Sequence, residues 1–408
     1  MRVNKRPELL APAGDPEKLR YAVAYGADAV YMAGRQFGMR AAAQNFDDDA
    51  LREGVAFAHA HGVKCYITVN VMPSNADLDA LPAYLAFLQE IGADALIVAD
   101  VGVIRLAKRY APRVPLHIST QTSILNHEAA NFWAELGAER IVLARELSLA
   151  EIAEIRAKTP ESLAIEAFVH GAMCISYSGR CLISQYLTGR DANHGACAQP
   201  CRWKYTLMEE QRPGEYFPVE EDGRGTYLYN SKDLCMIGHI PELANAGVDS
   251  LKIEGRNKTA YYTACVTGAY RRAIDAYAAG RPLPQDCLDE VNKVSHRVYY
   301  TGFYFGGAEN GQHYEDSQYI RDYEVAGMPL TIGPEGHAVF ALKNRIFKGE
   351  ELELLQPDAA PYVFSAFPRN DEGEALDLFN VPQMRVHFDF PFPIHPYAIL
   401  RKKKERPT

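Results

Sequence analysis

Gly26-Ala-Asp-Ala-Val-Tyr31 recurs along the chain as Gly92-Ala-Asp-Ala-Leu-Ile-Val98, Gly137-Ala-Glu-Arg-Ile-Val-Leu143 and Gly247-Val-Asp-Ser-Leu-Lys-Ile253. Each copy closes a stretch of helical periodicity and opens a short apolar run. Glycine suits the left-handed residue just past a helix C-terminus, and an unbroken apolar run reads as a parallel strand covered on both faces. His61-Gly62-Val-Lys-Cys-Tyr-Ile-Thr-Val-Asn70 repeats the pattern.

Working outward from these copies, strands are expected at 8–12, 28–33, 64–70, 95–100, 115–120, 140–145, 163–169 and 249–254, with helices such as 50–60, 79–91, 126–136 and 148–157 between them. Eight alternating strand and helix units over about 270 residues match a (β/α)8 TIM-like barrel. The alternative is an open doubly wound sheet. No Gly-x-Gly-x-x-Gly turn follows the first strand, so a dinucleotide site is unsupported. After the amphipathic helix 258–278 the pattern changes to short strands with Gly and Pro turns, including Ala338–Lys343, Glu351–Leu355 and Met384–Phe390, and 343–354 reads as two strands joined by a glycine turn. The expected division is a barrel over 1–282, a helical or linker segment over 283–324 and a small all-β, barrel-like domain over 325–408.

The chain has 408 residues, 48% hydrophobic and 23% charged, enough apolar side chain for a large core. No apolar run at the N-terminus resembles a secretory signal, and no stretch suits a bilayer, so a cytoplasmic protein is expected. A net charge of −9 argues against nonspecific coating of nucleic acid, which needs many Lys and Arg contacts. RNA contact would then rest on localised cations: Arg202, Lys204 and the tail at Lys402–Lys404, expected to be an exposed end. The same tail also reads as a simple solvated terminus.

Five of the eight cysteines, Cys174, Cys181, Cys197, Cys201 and Cys235, fall between strands seven and eight. In a reducing compartment such a group points to metal or redox chemistry. The first four have the spacing C-x6-C-x15-C-x3-C. Short loops between thiolates let the sulfurs converge on one centre, either a [4Fe–4S] cluster or zinc; Cys-x2-Cys pairs usual in zinc ribbons are absent, which favours iron. One thiol is then spare, and Cys235 could replace Cys201 as the fourth ligand. The surrounding Gly, Ser, Arg and Asn make poor core composition, so buried apolar cysteines are the weaker reading. The insertion also carries a polar excursion at 209–225 and an expected extra strand at 226–230.

The segment from Glu166 through His170, Cys174 and Cys181 to Ser184 resembles the signature of the peptidase U32 (collagenase-like) family, and the likeness runs from Pro7–Gly14 through Ser250–Arg256. Within that family the chain is most similar to the members that make 5-hydroxyuridine in tRNA, through Arg145-Glu-Leu-Ser-Leu-Ala-Glu-Ile152, His170-Gly-Ala172, Arg190–Asn193 and Gln211–Tyr216. The resemblance implies oxygen-independent, iron–sulfur-dependent hydroxylation of a tRNA wobble uridine, with the hydroxyl supply linked to prephenate or a related anion and the electron donor left open. It also leaves room for a hydroxylase of a small aromatic or quinone ring. The peptidase label implies a nucleophile or metal-bound water; no His-Glu-x-x-His is present, and Cys174 or Ser176 with His170 is the pair it would have to use.

Polar residues at the C-terminal ends of barrel strands are expected to line the pocket: Asn70, Asp100, Gln121, Arg145, Glu146, His170, Glu254 and Arg256. Arg145 or Arg256 could supply the guanidinium fork for an anionic donor, or form Arg–Glu pairs at the barrel rim. His170 could move a proton beside the cluster. Arg40, after the second strand, is a further candidate.

Overall fold

The computed structural model describes residues 5–39, 44–173, 183–192, 195–200, 221–222, 225–226, 232–306 and 319–404. Strands β1 (Glu8–Pro12), β2 (Ala29–Met32), β3 (Lys64–Val69), β4 (Ala95–Val98), β5 (Leu116–Ile118), β6 (Arg140–Val142), β7 (Ala164–Ala172) and β8 (Ser250–Ile253) each pair in parallel with the next. Ser250 of β8 also registers with Glu8 of β1, which closes the ring. All eight strands stand where the sequence predicted them, and closure removes the open-sheet alternative.

The repeated glycine and acid build the N-terminal rim of this barrel. Gly26, Gly92, Gly137 and Gly247 all have φ between 80 and 91°, the left-handed turn that ends the preceding helix. The acid two residues later then reaches sideways. Asp28 accepts the amide of Leu9 at 2.8 Å, Asp94 that of Cys65 at 2.7 Å and Asp249 that of Ile165 at 3.0 Å. Each aspartate thereby ties the start of its own strand to a neighbour and satisfies an amide at the rim. A nitrogen side chain covers each: Arg271 on Asp28 at 2.9 Å, Lys5 on Asp249 at 2.9 Å, and His59 on Asp94 at 2.8 Å. His59, Cys65 and Asp94 therefore lie close enough to suggest a metal site, but His59 fills the slot that Arg271 and Lys5 fill elsewhere.

Two additions depart from a plain barrel. β7 runs on past its partner, and its last residues pair antiparallel with a strand at Asp233–Cys235, which in turn pairs with Tyr299–Tyr300. Within the insertion the described residues show a short pairing of Glu221–Asp222 with Gly225–Thr226; most of the expected strand at 226–230 lies outside the described residues.

The C-terminal domain is a six-stranded sheet in the order Tyr362–Ser365, Glu351–Leu355, Ile399–Lys403, Tyr323–Ile332, His337–Leu342, Arg385–Asp389. It encloses its own apolar core around Phe340, Leu354, Phe379 and Leu400. The two strands expected over 343–354 are present as Ile346–Phe347 and Glu351–Leu355, joined through Gly349 at φ 78°, and the first of them pairs with Leu378–Phe379. One expectation is corrected. The basic tail is no solvated end: Ile399–Lys403 is a central strand, bonded to Tyr323–Gly327 on one side and Glu353–Leu355 on the other. Arg401 and Lys402 are buried within it; among the described tail residues Lys403 and Lys404 reach solvent.

Candidate active site

The barrel interior is divided by chemistry. Leu10, Ala29, Tyr31, Tyr66, Ala95 and Ile97 fill the side formed by β1 to β4. The other side carries charge. Arg140 bonds Glu8 at 2.5 Å and Glu166 at 3.0 Å, and Lys252 bonds the second oxygen of Glu166 at 2.8 Å. Ser250 and Tyr66 donate to the two oxygens of Glu8. Burial alone would raise the Glu166 carboxyl, but Lys252 and Arg140 outweigh it and hold the group below its ordinary value. Burial lowers the Lys252 amine despite Glu166. The cation also faces the rings of Tyr31 and Phe168 at 4.7 and 5.2 Å, so its positive charge is spread over π faces toward the open end.

Above Lys252, at the C-terminal end of the strands, lies a cavity of about 100 Å³. Asn70, Gln121, Arg145, Glu254 and Arg256 line it, all of them foreseen from their strand-end positions. Asn70 donates to Gln121 Oε1 at 2.6 Å, and Gln121 returns a bond to the Asn70 carbonyl at 2.8 Å, so the two amides hold each other across the mouth. Arg145 lies over Phe168 at 4.9 Å and donates to the Ala172 carbonyl at 2.9 Å. Arg256 donates to the Met39 carbonyl and to Thr68 at 3.4 Å. Three cations, two amides and a carboxylate thus converge above an aromatic floor, a composition suited to a small anion or to the polar edge of a base. Lys252, Tyr31, Thr68 and Phe168 were missed as lining residues; the signal was present as a lysine inside the apolar run Ser250–Ile253.

Asp100 does not reach the cavity, because it caps the helix Val101–Tyr110 by accepting the amides of Gly102 and Val103. Glu146 is half-buried outside the lining, its carboxyl raised by desolvation. His170 is the larger correction. The register between β7 and β8 slips by one residue between Lys252 and Ile253, so Ile253 faces His170 and the side-chain alternation is broken. His170 is consequently outside the cavity, enclosed by the rings of Tyr262, Tyr270 and Tyr299. Tyr299 lies 3.3 Å from Nε2 and Tyr270 3.5 Å from Nδ1. Desolvation, with His296 and Lys258 adding to it, pushes its pKa down to about 3, so the ring is neutral. Gly171 follows with φ of 106°; a side chain there would strike the Glu254 backbone, which comes within 2.6 Å of an ideal Cβ.

Of the cysteine group, Cys174, Cys181 and Cys201 lie outside the described residues, as do Arg40, Ser176, Arg202 and Lys204. Cys197 is half-buried and its sulfur accepts the Gln199 amide at 3.4 Å. Cys235 stands opposite His170 in the antiparallel register, beneath the helix Ala260–Ala278, and burial raises its thiol to about 11. Among the described cavity-lining residues there is no histidine, and the Ser119 hydroxyl donates to Gln121 Oε1 at 3.0 Å, so no hydroxyl there is set against an imidazole as a hydrolytic nucleophile would be.

Residues 14–314 match the model of peptidase family U32, and residues 321–401 match that of the peptidase family U32 C-terminal domain. The chain belongs to peptidase family U32. A relative within reach of the whole chain is tRNA hydroxylation protein P1 of Bacillus subtilis, 39% identical, the match covering 98% of this chain and 96% of that one. Similar too is tRNA hydroxylation protein P of Escherichia coli, 38% identical over 91% of each chain. A 23S rRNA 5-hydroxycytidine synthase of Escherichia coli is 42% identical over 66% of this chain and 40% of its own length. No helix among the described residues is long and apolar enough to cross a membrane.

Proposed function

We propose that this U32 member is an RNA-modifying hydroxylase that acts on a tRNA pyrimidine, with the wobble uridine as target and 5-hydroxyuridine as product. What carries the reading is the likeness to the Bacillus subtilis tRNA hydroxylation protein, which spans both the barrel and the C-terminal domain. The cavity supports it chemically. It presents hydrogen-bonding amides and cations to a planar polar ligand.

A [4Fe–4S] cluster on Cys174, Cys181, Cys197 and either Cys201 or Cys235 is part of this proposal, with zinc as the alternative. The donor chemistry at Cys197 fits: a half-buried sulfur receiving a backbone amide is the setting in which a thiolate ligand is stabilised. Cys235, the alternative fourth ligand, stands opposite His170 in the antiparallel register. When bound, the cluster supplies one-electron chemistry without molecular oxygen. The residues of this chain do the rest: Arg145, Lys252 and Arg256 draw an anionic hydroxyl donor such as prephenate into the mouth, and Asn70 and Gln121 orient the ligand by bonds that fix their own amides. Cytoplasmic action follows from the tRNA target.

The test is mass spectrometry of nucleosides from cells with and without the gene. Loss of 5-hydroxyuridine-type species on deletion, restored by the intact gene, is expected. An unchanged RNA profile accompanied by altered quinones overturns the reading in favour of a small-ring hydroxylase.

A further inference from the structure

The cavity at the barrel mouth does not end there. Glu254 belongs both to its wall and to a groove of about 900 Å³ between the barrel and the C-terminal sheet, and Glu324, Lys343 and Lys404 carry that groove into a further hollow of about 560 Å³ on the sheet. One continuous channel therefore leads from the C-terminal domain to the C-terminal ends of the barrel strands.

Four cations are gathered along it. In a chain of net charge −9, Lys258, Arg321, Lys343 and Lys404 lie along the groove, and among the described residues none of them has a carboxylate within ion-pairing distance. Other cations, such as Lys5, Arg52, Arg271 and Arg272, are paired, while Arg105 and Arg109 on the helix Val101–Tyr110 have no carboxylate partner among the described residues either. The acids of the groove are Glu17, Glu254 and Glu324, and the last sits 3.8 Å from Lys402. Rings hold the cations in place of acids: Lys258 stands 5.0 Å from the Tyr319 ring and 5.3 Å from Tyr262, and Arg321 stands 5.6 Å from Tyr319. Further along, exposed Phe347 borders the hollow beside Arg345. Cations left without counter-charge along a channel that also presents the half-buried Tyr319 and the exposed Phe347 are what a single nucleic-acid strand requires: phosphates for the cations and bases for those two rings.

We propose that this channel is the path of a single-stranded RNA segment, with Lys343 and Lys404 holding phosphates on the C-terminal domain and Lys258 and Arg321 holding those beside the barrel. The proposal rests on the reading of the protein as an RNA hydroxylase and adds the route by which the RNA arrives. A single strand is selected because the channel stops at a cavity closed below by the charged layer of Glu166 and Lys252; a base can be presented there only when it has left its stack.

The experiment measures binding of the intact protein to an anticodon stem-loop and to a loop-free duplex of matched length, across salt concentrations. The charge reversals K258E/R321E and K343E/K404E are each expected to weaken stem-loop binding at least about ten-fold and to reduce the salt slope by roughly 1 to 1.5. The pair R105E/R109E, on the helix Val101–Tyr110 at the opposite side of the barrel, is expected to bind as the parent does. Groove variants that match the parent in affinity and slope overturn the path. If those variants also still restore the hydroxylated nucleoside in cells, the hydroxylase reading survives without it. Duplex bound as tightly as stem-loop overturns the single-strand assignment, and a parent protein that holds neither RNA overturns the path and the hydroxylase reading together.

Discussion

Arg401, in the middle strand of the C-terminal sheet, donates two bonds to the carboxylate of Glu290 on the barrel side, one of them 2.7 Å long at Nη2. The arginine is fully buried, and it also reaches Glu353 of its own sheet at 2.6 Å. Glu353 in turn takes Lys293 at 2.9 Å. The two domains are thus joined by a buried charge network, in which removing Arg401 strands Glu290.

Arg401→Met should therefore destabilise the whole chain by about 3–5 kcal/mol, since it leaves Glu290 buried and unpaired. Urea unfolding measures this. Deleting residues 401–408 should abolish the cooperative transition of the C-terminal domain, because it removes part of a central strand. A truncated protein that melts like the parent would contradict the placement of that strand.

Arg145→Lys keeps a cation at the barrel mouth but loses the planar fork and its stacking on Phe168. The hydroxylated nucleoside recovered from complemented cells is expected to fall at least about ten-fold, equivalent to roughly 1.4 kcal/mol of lost interaction. Thermal unfolding should shift little. Full recovery of the nucleoside would remove Arg145 from the site.

His170 gives a pH signature. Its folded pKa is depressed to about 3, below the ordinary 6.5, so the neutral ring stabilises the fold above 6.5 and that contribution is lost as pH falls toward 3. Between pH 7 and pH 5 the loss should be about 2 kcal/mol. His170→Gln should flatten this part of the stability profile, as read from urea midpoints at each pH. An unaltered slope would show that the ring titrates normally.

Cys197→Ser is expected to yield colourless protein after anaerobic purification, whereas Cys235→Ser should retain about four irons per chain, as a [4Fe–4S] site requires. Iron analysis and visible absorbance read the difference. The reverse ranking would move the fourth ligand to Cys235, and stoichiometric zinc in the parent would replace the cluster altogether.

The barrel was legible because each glycine and acid pair marks a strand start, and the same pairs turn out to bond neighbouring strands. Asn70, Gln121, Arg145, Glu254 and Arg256 were legible because strand ends in a barrel share one mouth. Lys252 and Glu166 could be seen as charges inside apolar runs, yet their meeting depends on the register of β7 against β8, which spacing does not encode. His170 failed for a related reason: a one-residue slip reverses which face a side chain takes. The basic tail misled because Arg401 and Lys402 look solvated in sequence, and only the acids at Glu290, Glu350 and Glu353, far away along the chain, explain their burial.

The central strand Ile399–Lys403 has a consequence for synthesis. It is the last of the six strands to leave the ribosome, although it sits between strands made earlier. Until it arrives, Tyr323–Gly327 and Glu353–Leu355 are open edges facing one another across a gap, and Glu290 and Glu353 carry charges with Arg401 not yet made. Open edges invite mispairing, so the interval before Ile399–Lys403 arrives is the one in which this domain is most exposed to wrong partners.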